Sequence, residues 1–179
     1  WIKEAESRGL AHLPTTVDAM HCFISEKNIS LFTRRGIYTE REMRSRYDIS
    51  LENYAKLIRI EASTMLSMAQ RSILPAVIGY ESKIAEAVSA KDRLGVPNDA
   101  EYALLKGLSA GVNALHKRIG GLFDAIAAMP KGNGEAAEYC RDKLLPAMGS
   151  LREAADALET ITAKEYWPFP GYEDLLFNL

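Results

Sequence analysis

The sequence is poor in the side chains that cross-link small proteins or bind transition metals. It contains two cysteines and three histidines in 179 residues. Cys22 and Cys140 lie far apart in the chain, and each has apolar neighbours among which a reduced thiol packs as a small hydrophobic group. We therefore predict two free thiols in the core and no disulfide framework.

The sequence also has no marked excess of positive or negative charge, and it has no long apolar run. Lys and Arg total 22 against 24 Asp and Glu, so the net charge of −2 gives no electrostatic reason to expect nucleic acid as a partner. No apolar run reaches the roughly 18 residues of a membrane span, and the first residues do not have the order of a signal peptide. We expect a cytoplasmic protein that binds neither nucleic acid nor a membrane.

Apolar residues are nevertheless abundant enough for one globular core. Hydrophobic residues make up 47% of the chain and charged residues 26%, which is the range of ordinary globular proteins. A helical pattern is already under way at Trp1. We expect the natural chain to begin upstream of this residue.

Short helices are predicted for residues 1–38, because glycine and proline interrupt the apolar pattern there. Thr15 and Asp18 resemble a capping box in which Asp replaces the usual Glu. Ser25 begins another short helix, and Gly36 is expected to end it in the left-handed conformation.

The clearest helix start is the capping box of Thr39 and Glu42, and the following helix is expected to run to about Arg93. Its apolar positions recur in steps of 4, 4 and 3 residues. The members of this row are Met43, Tyr47, Leu51, Tyr54, Ile58, Ala62, Met65, Ala69, Ile73, Ala76, Tyr80, Ile84 and Ala87. A second row at the same spacing predicts a second packing neighbour, and it comprises Ala55, Leu66, Val77 and Val88.

Two further long helices are predicted, over about residues 99–129 and 135–164. The first begins with a cap pair, Asn98 and Glu101, and buries Leu105, Leu108, Val112, Leu115, Ile119, Leu122, Ile126 and Met129. The second buries Ala137, Cys140, Leu144, Met148, Leu151, Ala155 and Leu158. Pro75 and Pro146 are each expected to kink the helix that contains them.

Short turns between the long helices require neighbours to run antiparallel. The predicted fold is therefore all-α, an antiparallel bundle of three long helices over residues 39–165. In the first of these helices, Leu66 and Ile73 are predicted to be among the most buried residues.

An aromatic tail is predicted for residues 166–179. Pro168 and Pro170 disfavour a regular helix, so we predict a non-helical tail. Its apolar side chains are too dense for a solvated terminus, and we expect them to dock on the bundle or on another part of the protein: Trp167, Phe169, Tyr172, Leu175, Leu176 and Phe177.

None of the arrangements that could bind a metal or supply a nucleophile is complete. The three histidines, His12, His21 and His116, lie on different elements and lack the Glu-x-x-His pairs of di-metal bundles, so surface or cap roles are favoured. His21 and Cys22 are adjacent in a helix, and their side chains diverge by about 100°. They therefore cannot act together as base and nucleophile.

Two sets of residues, four glycines and five arginines, each allow two interpretations of their role. Four glycines lie within a helix and lack the surroundings of a phosphate loop, which favours close helix contact: Gly107, Gly111, Gly120 and Gly121. Five arginines could bind phosphate, but interleaved acids favour a solvated or salt-bridged surface: Arg34, Arg35, Arg41, Arg44 and Arg46. Tyr47, Tyr54 and Tyr80 are predicted core residues whose hydroxyls need partners at the bundle edge. We predict no catalytic, cofactor-binding or metal-binding residue in this chain.

The sequence resembles the C-terminal region of type III glutamine synthetase. The similar stretches occur in the same order over most of the chain: EAESRGL at 4–10, TTVDA at 15–19, SEKNI at 25–29, SRY at 45–47, ENY at 52–54, ILPAV at 73–77, WPFP at 167–170 and LLF at 175–177. These motifs are structural, and their specificity lies in their order and spacing.

The resemblance implies a parent enzyme that joins ammonia to glutamate with ATP and Mg²⁺, through a gamma-glutamyl phosphate. It implies that the glutamate, nucleotide and metal ligands lie in a catalytic barrel upstream, to which residues 1–38 would link the bundle. It also implies neighbouring subunits in a double ring as partners. No family ligand motif matches a position of this chain.

Two hypotheses follow for function. The first is a noncatalytic domain that supports subunit packing in the oligomer of the parent enzyme. The second is a free-standing helical adaptor whose surface from Arg34 to Arg46 binds a partner. The upstream coding sequence distinguishes them, since only the first requires a catalytic barrel in frame.

Overall fold

The computed structural model describes residues 1–177, apart from the side chains of Tyr172 and Glu173, and this part of the chain is helical without a strand. The predicted all-α class is therefore confirmed. The helices in chain order are α1 (Ile2–Ser7), α2 (Thr16–Phe23), α3 (Glu26–Arg34), α4 (Glu40–Met68), π1 (Ala69–Ile73), α5 (Leu74–Leu94), α6 (Asp99–Ala127), α7 (Asn133–Tyr139), π2 (Cys140–Leu144), α8 (Leu145–Glu159) and α9 (Tyr172–Phe177).

The two predicted threonine caps are confirmed. At the start of α4, the Glu42 N–H donates to Thr39 Oγ1 at 3.2 Å and the Thr39 N–H donates to Glu42 Oε2 at 2.7 Å, which is the reciprocal pattern of a capping box. At the start of α2, the Asp18 N–H donates to Thr15 Oγ1 at 3.2 Å. The shorter Asp18 carboxylate accepts a hydrogen bond from the Thr15 hydroxyl at 2.6 Å.

Glycine ends α3 as predicted. Gly36 has a φ of 66°, and the Ile37 N–H donates to the Phe32 carbonyl at 3.0 Å, closing the turn that satisfies the last carbonyls of the helix. Gly95 ends α5 in the same way, with a φ of 65° and a bond from the Val96 N–H to the Lys91 carbonyl at 3.1 Å.

A π-helical segment precedes each proline that lies within a long helix. π1 ends two residues before Pro75, and π2 ends two residues before Pro146. Proline removes a backbone donor and crowds the carbonyl of the preceding turn, and the wider π turn accommodates that crowding. The kinks expected at these prolines stay a prediction, while the π segments were not predicted.

The chain divides into two compact units, and the first comprises Trp1–Ile60 with Ala128–Leu145. Its core joins α2, α4 and α7 through Val17, Leu51 and Ala137, with Met20, Tyr47 and Tyr54 packed around them. The two tyrosines are partly buried. The prediction that they are core residues is therefore confirmed only in part.

The second unit comprises Glu61–Ala127 with the residues from Pro146 onward. Within it α5 packs along α6. Of the predicted inward face of α6, Leu108, Leu115, Ile119 and Leu122 are buried, while Leu105, Val112, Ile126 and Met129 are only partly buried. The residues predicted to be buried on α8 are all buried: Met148, Leu151, Ala155 and Leu158. The division into residues 1–38, 39–165 and 166–179, and the antiparallel three-helix bundle, stay predictions.

Several predicted details of the long helices are wrong. Leu66 is only half-buried, whereas Ala55, Val77 and Val88 of the same row are buried. The row is thus interrupted at one position before π1, and it is buried again at Val77 after it. The predicted burial of Ile73 is confirmed, at 8% exposure.

The cap pair predicted for α6 makes other bonds. Asn98 Nδ2 donates to Asp92 Oδ1 at 2.7 Å and to the Val88 carbonyl at 3.4 Å, while Glu101 pairs with Lys91. The two side chains thus fasten the start of α6 to the end of α5.

The last long helix ends at Glu159, five residues before its predicted end. The Thr162 hydroxyl donates to the Leu158 carbonyl at 2.7 Å and so satisfies one of the last carbonyls of α8. Such local side-chain bonds compete with continuation of a helix.

The prediction of a wholly non-helical tail is wrong for Tyr172–Phe177, which form α9. The prolines disfavour a helix only up to Pro170, and the Gly171 N–H donates to Asp174 Oδ2 at 2.9 Å at the start of α9. Asn178, Leu179 and the side chain of Tyr172 lie outside the described residues.

Docking of the tail is observed for its first part. Trp167 and Phe169 are partly buried, and the Tyr166 ring lies 5.0 Å from the Tyr80 ring between centroids. The apolar side chains of α9 are exposed: Leu175, Leu176 and Phe177. A buried position for these three side chains stays a prediction.

None of the described helices combines the length and the apolar character needed to cross a membrane.

The contact between Gly111 of α6 and Leu158 of α8 leads to a prediction. A Cβ added at Gly111 would overlap Leu158 Cδ2 and lie 3.1 Å from Leu158 Cγ, and Leu158 is only 1% exposed. Gly111→Ala is expected to lower the free energy of unfolding by about 1–3 kcal/mol, because the crowded leucine has little room to move. Gly120→Ala in the same helix meets no atom within 4 Å and is expected to raise it by about 0.5–1 kcal/mol. Denaturant unfolding of the two variants tests this, and equal effects would show that the contact is misplaced.

Candidate functional site

The described structure does not group the three candidate histidines. His12 and His116 are exposed on different elements, and no three His, Cys, Asp or Glu side chains among the described residues are grouped to hold a metal ion. The absence of a catalytic, cofactor or metal site stays a prediction.

The two cysteines differ from each other. Cys140 is fully buried, as predicted, and burial raises the pKa of its thiol. It therefore stays protonated near neutral pH and is a poor nucleophile. Cys22 is a free thiol but is exposed, so its predicted core position is wrong. It lies in the last turn of α2, on the side of that helix away from Val17.

The prediction of close helix contact holds for one of the four glycines. Gly111 lies against Leu158, and a Cβ at Gly107 would be in ordinary contact with Ile161 at 3.8 Å. Gly120 and Gly121 have open space around them. The prediction of close helix contact is therefore wrong for Gly120 and Gly121 among the described residues, because both are exposed.

The densest polar contacts form the Arg141 junction, which comprises Thr15, Asp18, Arg141 and Asp142. Arg141 Nη1 donates to Asp18 Oδ1 at 2.7 Å. Its Nε and Nη2 donate to the two Asp142 oxygens at 2.6 and 2.9 Å, a bidentate pair. Arg141 is 27% exposed, so the junction is partly shielded from water. The junction ties α2 to π2.

Electrostatics of the Arg141 junction favour a structural role. The Thr15 hydroxyl and then Arg141 hold the pKa of the Asp18 carboxyl below its usual range, and Arg141 does the same for Asp142. The two acids in turn raise the pKa of Arg141. Because both carboxylates stay ionised near neutral pH, neither can act as a general acid there.

His21 forms a second polar contact in the same unit. Its Nδ1 lies 3.3 Å from the Tyr47 hydroxyl, and its Nε2 lies 3.8 Å from Glu138 Oε1. The Tyr47 hydroxyl thereby has the partner that was predicted for it. Burial raises the pKa of Tyr47, so its hydroxyl is protonated at neutral pH. His21 and Glu138 are about half exposed, and their separation exceeds a hydrogen bond, which argues against an acid–base pair.

The basic turn, defined as residues 34–46, joins α3 to α4. It contains five arginines and two glutamates. Arg44 pairs with Glu40 at 2.7 Å, and the Arg46 guanidinium lies 4.7 Å from the centre of the Tyr38 ring. Among the described residues, no acid lies within ion-pair distance of Arg34, Arg35 or Arg41. These three side chains are exposed, as the prediction of a solvated surface requires.

The Arg141 junction is not indicated by the sequence pattern. Arg141 and Asp18 lie 123 positions apart, and neither has a neighbour in sequence that marks it as a partner of the other. The Thr15 and Asp18 capping box was the one available signal, since it places a carboxylate at the start of α2.

A pH prediction follows from the Arg141 junction. A carboxyl whose pKa is lower in the folded than in the unfolded chain stabilises the fold above its unfolded pKa, and this contribution is lost as pH falls through the folded value. Asp18→Asn is therefore expected to lower the melting temperature at neutral pH and to converge with the unchanged protein below the ordinary Asp value of 3.8. Thermal unfolding by circular dichroism from about pH 7 to about pH 2.5 measures this. Asp124→Asn, at an exposed carboxylate of α6, is the matched control. A constant difference between Asp18→Asn and the unchanged protein at all pH values would contradict the assignment.

Comparison with known proteins identifies relatives along the whole chain. A glutamine synthetase from Butyrivibrio fibrisolvens is 35% identical over 100% of this chain and 26% of its own length. A type-3 glutamine synthetase from Dictyostelium discoideum is 33% identical over 99% of this chain and 25% of its own length. A glutamine synthetase from Bacteroides fragilis (strain YCH46) is 24% identical over 99% of this chain. The chain thus spans about a quarter of the length of these relatives.

The family described as the glutamine synthetase C-terminal domain matches residues 1–92, which include the short helices, the capping box of α4 and the π1 segment before Pro75. This is the part of the chain that carries most of the motifs on which the resemblance to type III enzymes depends. The chain therefore belongs to the glutamine synthetase C-terminal domain family.

Proposed function

We propose that this chain is a noncatalytic part of a longer glutamine synthetase, and that it supports the packing of subunits in the oligomer. The observation that carries the proposal is the family match, together with relatives that share the whole chain over only a quarter of their own length. In the parent enzyme, ATP-dependent ligation of ammonia to glutamate would take place in residues outside this chain.

The chemistry of the described side chains supports this division of labour. Binding ATP with Mg²⁺ needs oxygen ligands for the metal and donors that converge on phosphates. The described residues contain no group of acids placed to hold a metal ion, and the carboxylates of the Arg141 junction are occupied by Arg141. These residues do not fit ATP and Mg²⁺, so we assign both to the rest of the parent enzyme.

Exposed apolar side chains support a role in packing. On α4, Ile49 and Leu57 are 51% and 56% exposed, on the side away from buried Leu51, Ala55 and Ile58. Large apolar side chains are also exposed on other elements, including Leu94, Tyr102, Phe123, Leu175, Leu176 and Phe177. Apolar surface of this kind is typical of residues that a larger assembly covers.

The proposal extends to organisation and compartment. Residues 1–38 would link the helical region to an upstream catalytic barrel, and residues 166–179 would contact that barrel or a neighbouring subunit. The free thiol of Cys22 is exposed, which fits the reducing conditions of the cytoplasm.

The first test concerns the isolated chain. We expect no glutamine formation and no gamma-glutamyl transferase activity from the purified 179-residue chain at any Mg²⁺ concentration, because its described residues do not form a site for nucleotide phosphates. Turnover that follows the chain through successive purification steps would contradict the noncatalytic role.

A second measurement tests the packing role. The full-length parent protein and a form that lacks the residues of this chain would be compared by analytical ultracentrifugation. We expect the shortened protein to form smaller assemblies. An oligomer of unchanged subunit number would contradict the packing role and leave the family assignment intact.

A further inference from the structure

The basic turn carries a charge opposite to that of the rest of the chain. Its five arginines and two glutamates give it a net charge of +3, while the whole chain has −2, so the remaining residues carry −5. A second copy of this chain is therefore a partner of complementary charge.

Both glutamates of the basic turn are already engaged. Glu40 pairs with Arg44, and Glu42 accepts hydrogen bonds from the backbone and the hydroxyl of Thr39. The basic charge of Arg34, Arg35 and Arg41 therefore faces solvent. Arg41 also lies in the first turn of α4, where the positive end of the helix dipole disfavours a cation.

The backbone that carries these arginines is held in a defined place. Gly36 closes α3, the capping box of Thr39 and Glu42 opens α4, and the Tyr38 ring lies 6.0 Å from the Phe32 ring, between centroids. Arg46 covers Tyr38. A surface that is ordered before binding loses less conformational entropy when a partner docks.

A complementary acidic surface lies on α8. This helix contains Arg152, Glu153, Asp156 and Glu159, a net charge of −2, and Arg152 pairs with Asp156 at 3.3 Å. Among the described residues, no cation lies within ion-pair distance of Glu153 or Glu159, and both are exposed. Glu159 is the last residue of α8, where the negative end of the helix dipole disfavours an anion.

We infer that Arg34, Arg35 and Arg41 of one copy dock on the α8 surface formed by Glu153 and Glu159 of a neighbouring copy. This inference rests on the proposed packing function, and it specifies one electrostatic contact between the packed subunits. Arg41 and Glu159 each lie at a helix end whose dipole disfavours their charge. In such a contact, each lies next to a side chain of opposite charge from the other copy. Because the two surfaces differ, each copy can use both, either reciprocally in a two-fold pair or in succession around a ring of subunits.

Charge reversal in the full-length parent protein tests this contact. Arg35→Glu with Arg41→Glu is expected to raise the dissociation constant between subunits about tenfold or more, since two attractions become repulsions. Glu153→Lys with Glu159→Lys is expected to do the same. The protein that carries all four substitutions regains affinity, because its surfaces are complementary again with the signs exchanged. Analytical ultracentrifugation at low and high salt measures each constant, and the unchanged protein is expected to dissociate more readily at high salt.

Two controls keep the result interpretable. Lys117→Glu with Arg118→Glu makes the same change in net charge on exposed residues of α6 and is expected to leave the dissociation constant unchanged. Arg35→Gln with Arg41→Gln removes the cations without adding acids, and it replaces the reversed form if circular dichroism shows that form to be unfolded.

The contact is overturned by either of two results. In the first, the α6 control raises the dissociation constant as much as the charge reversals do. In the second, the protein that carries all four substitutions binds as weakly as the two charge-reversed variants. If the shortened parent protein fails to assemble while the reversals leave assembly intact, the packing function stands and this contact is wrong. If the reversals instead abolish binding of tripolyphosphate without changing assembly, the basic turn binds phosphate and the subunit contact is wrong.

Discussion

The structure depends on the need to bury one side of the long helical stretch from Glu40 to Leu94 along its whole length. Apolar residues at an 11-residue period keep that side in one direction over many turns, which a straight helix requires. The short helices find their places against it, since Val17 of α2 and Ala137 of α7 meet Leu51 in one core. In the second unit, α6 packs along the last part of the same stretch.

Two prolines interrupt the regular α-helical hydrogen bonding of the long helices. Pro75 and Pro146 occur in similar apolar sequences, and each follows a π-helical segment at the same distance. The π turn keeps the chain helical where a proline would otherwise crowd the preceding carbonyl. Burial continues through this turn in the first case, since Ala69, Ile73 and Val77 are all buried.

Periodicity and capping chemistry made much of this fold predictable. The caps at Thr15 and Thr39, the stop at Gly36 and the buried faces of α6 and α8 are local or repeat at fixed spacing, so one sequence suffices to find them. The partners of Asn98 and Arg141 depend on which helices meet, and that information is not local. The helix at Tyr172–Phe177 was missed because the influence of Pro168 and Pro170 was extended too far along the chain.

The polar groups of the first unit are used to hold helices together. Arg141 neutralises Asp18 and Asp142, and the Tyr47 hydroxyl lies next to His21, so these groups are occupied by structural contacts.

Our central proposal is that the chain supplies its own helical core and would contribute only its surface to a larger enzyme. Hydrogen exchange of backbone amides tests this most directly, by comparing the isolated 179-residue chain with the assembled parent protein. We expect the core of α4, α6 and α8 to be protected in both, with added protection in the assembly at exposed segments such as the basic turn and the end of α8. Loss of core protection in the isolated chain, or identical protection in both forms, would contradict the claim.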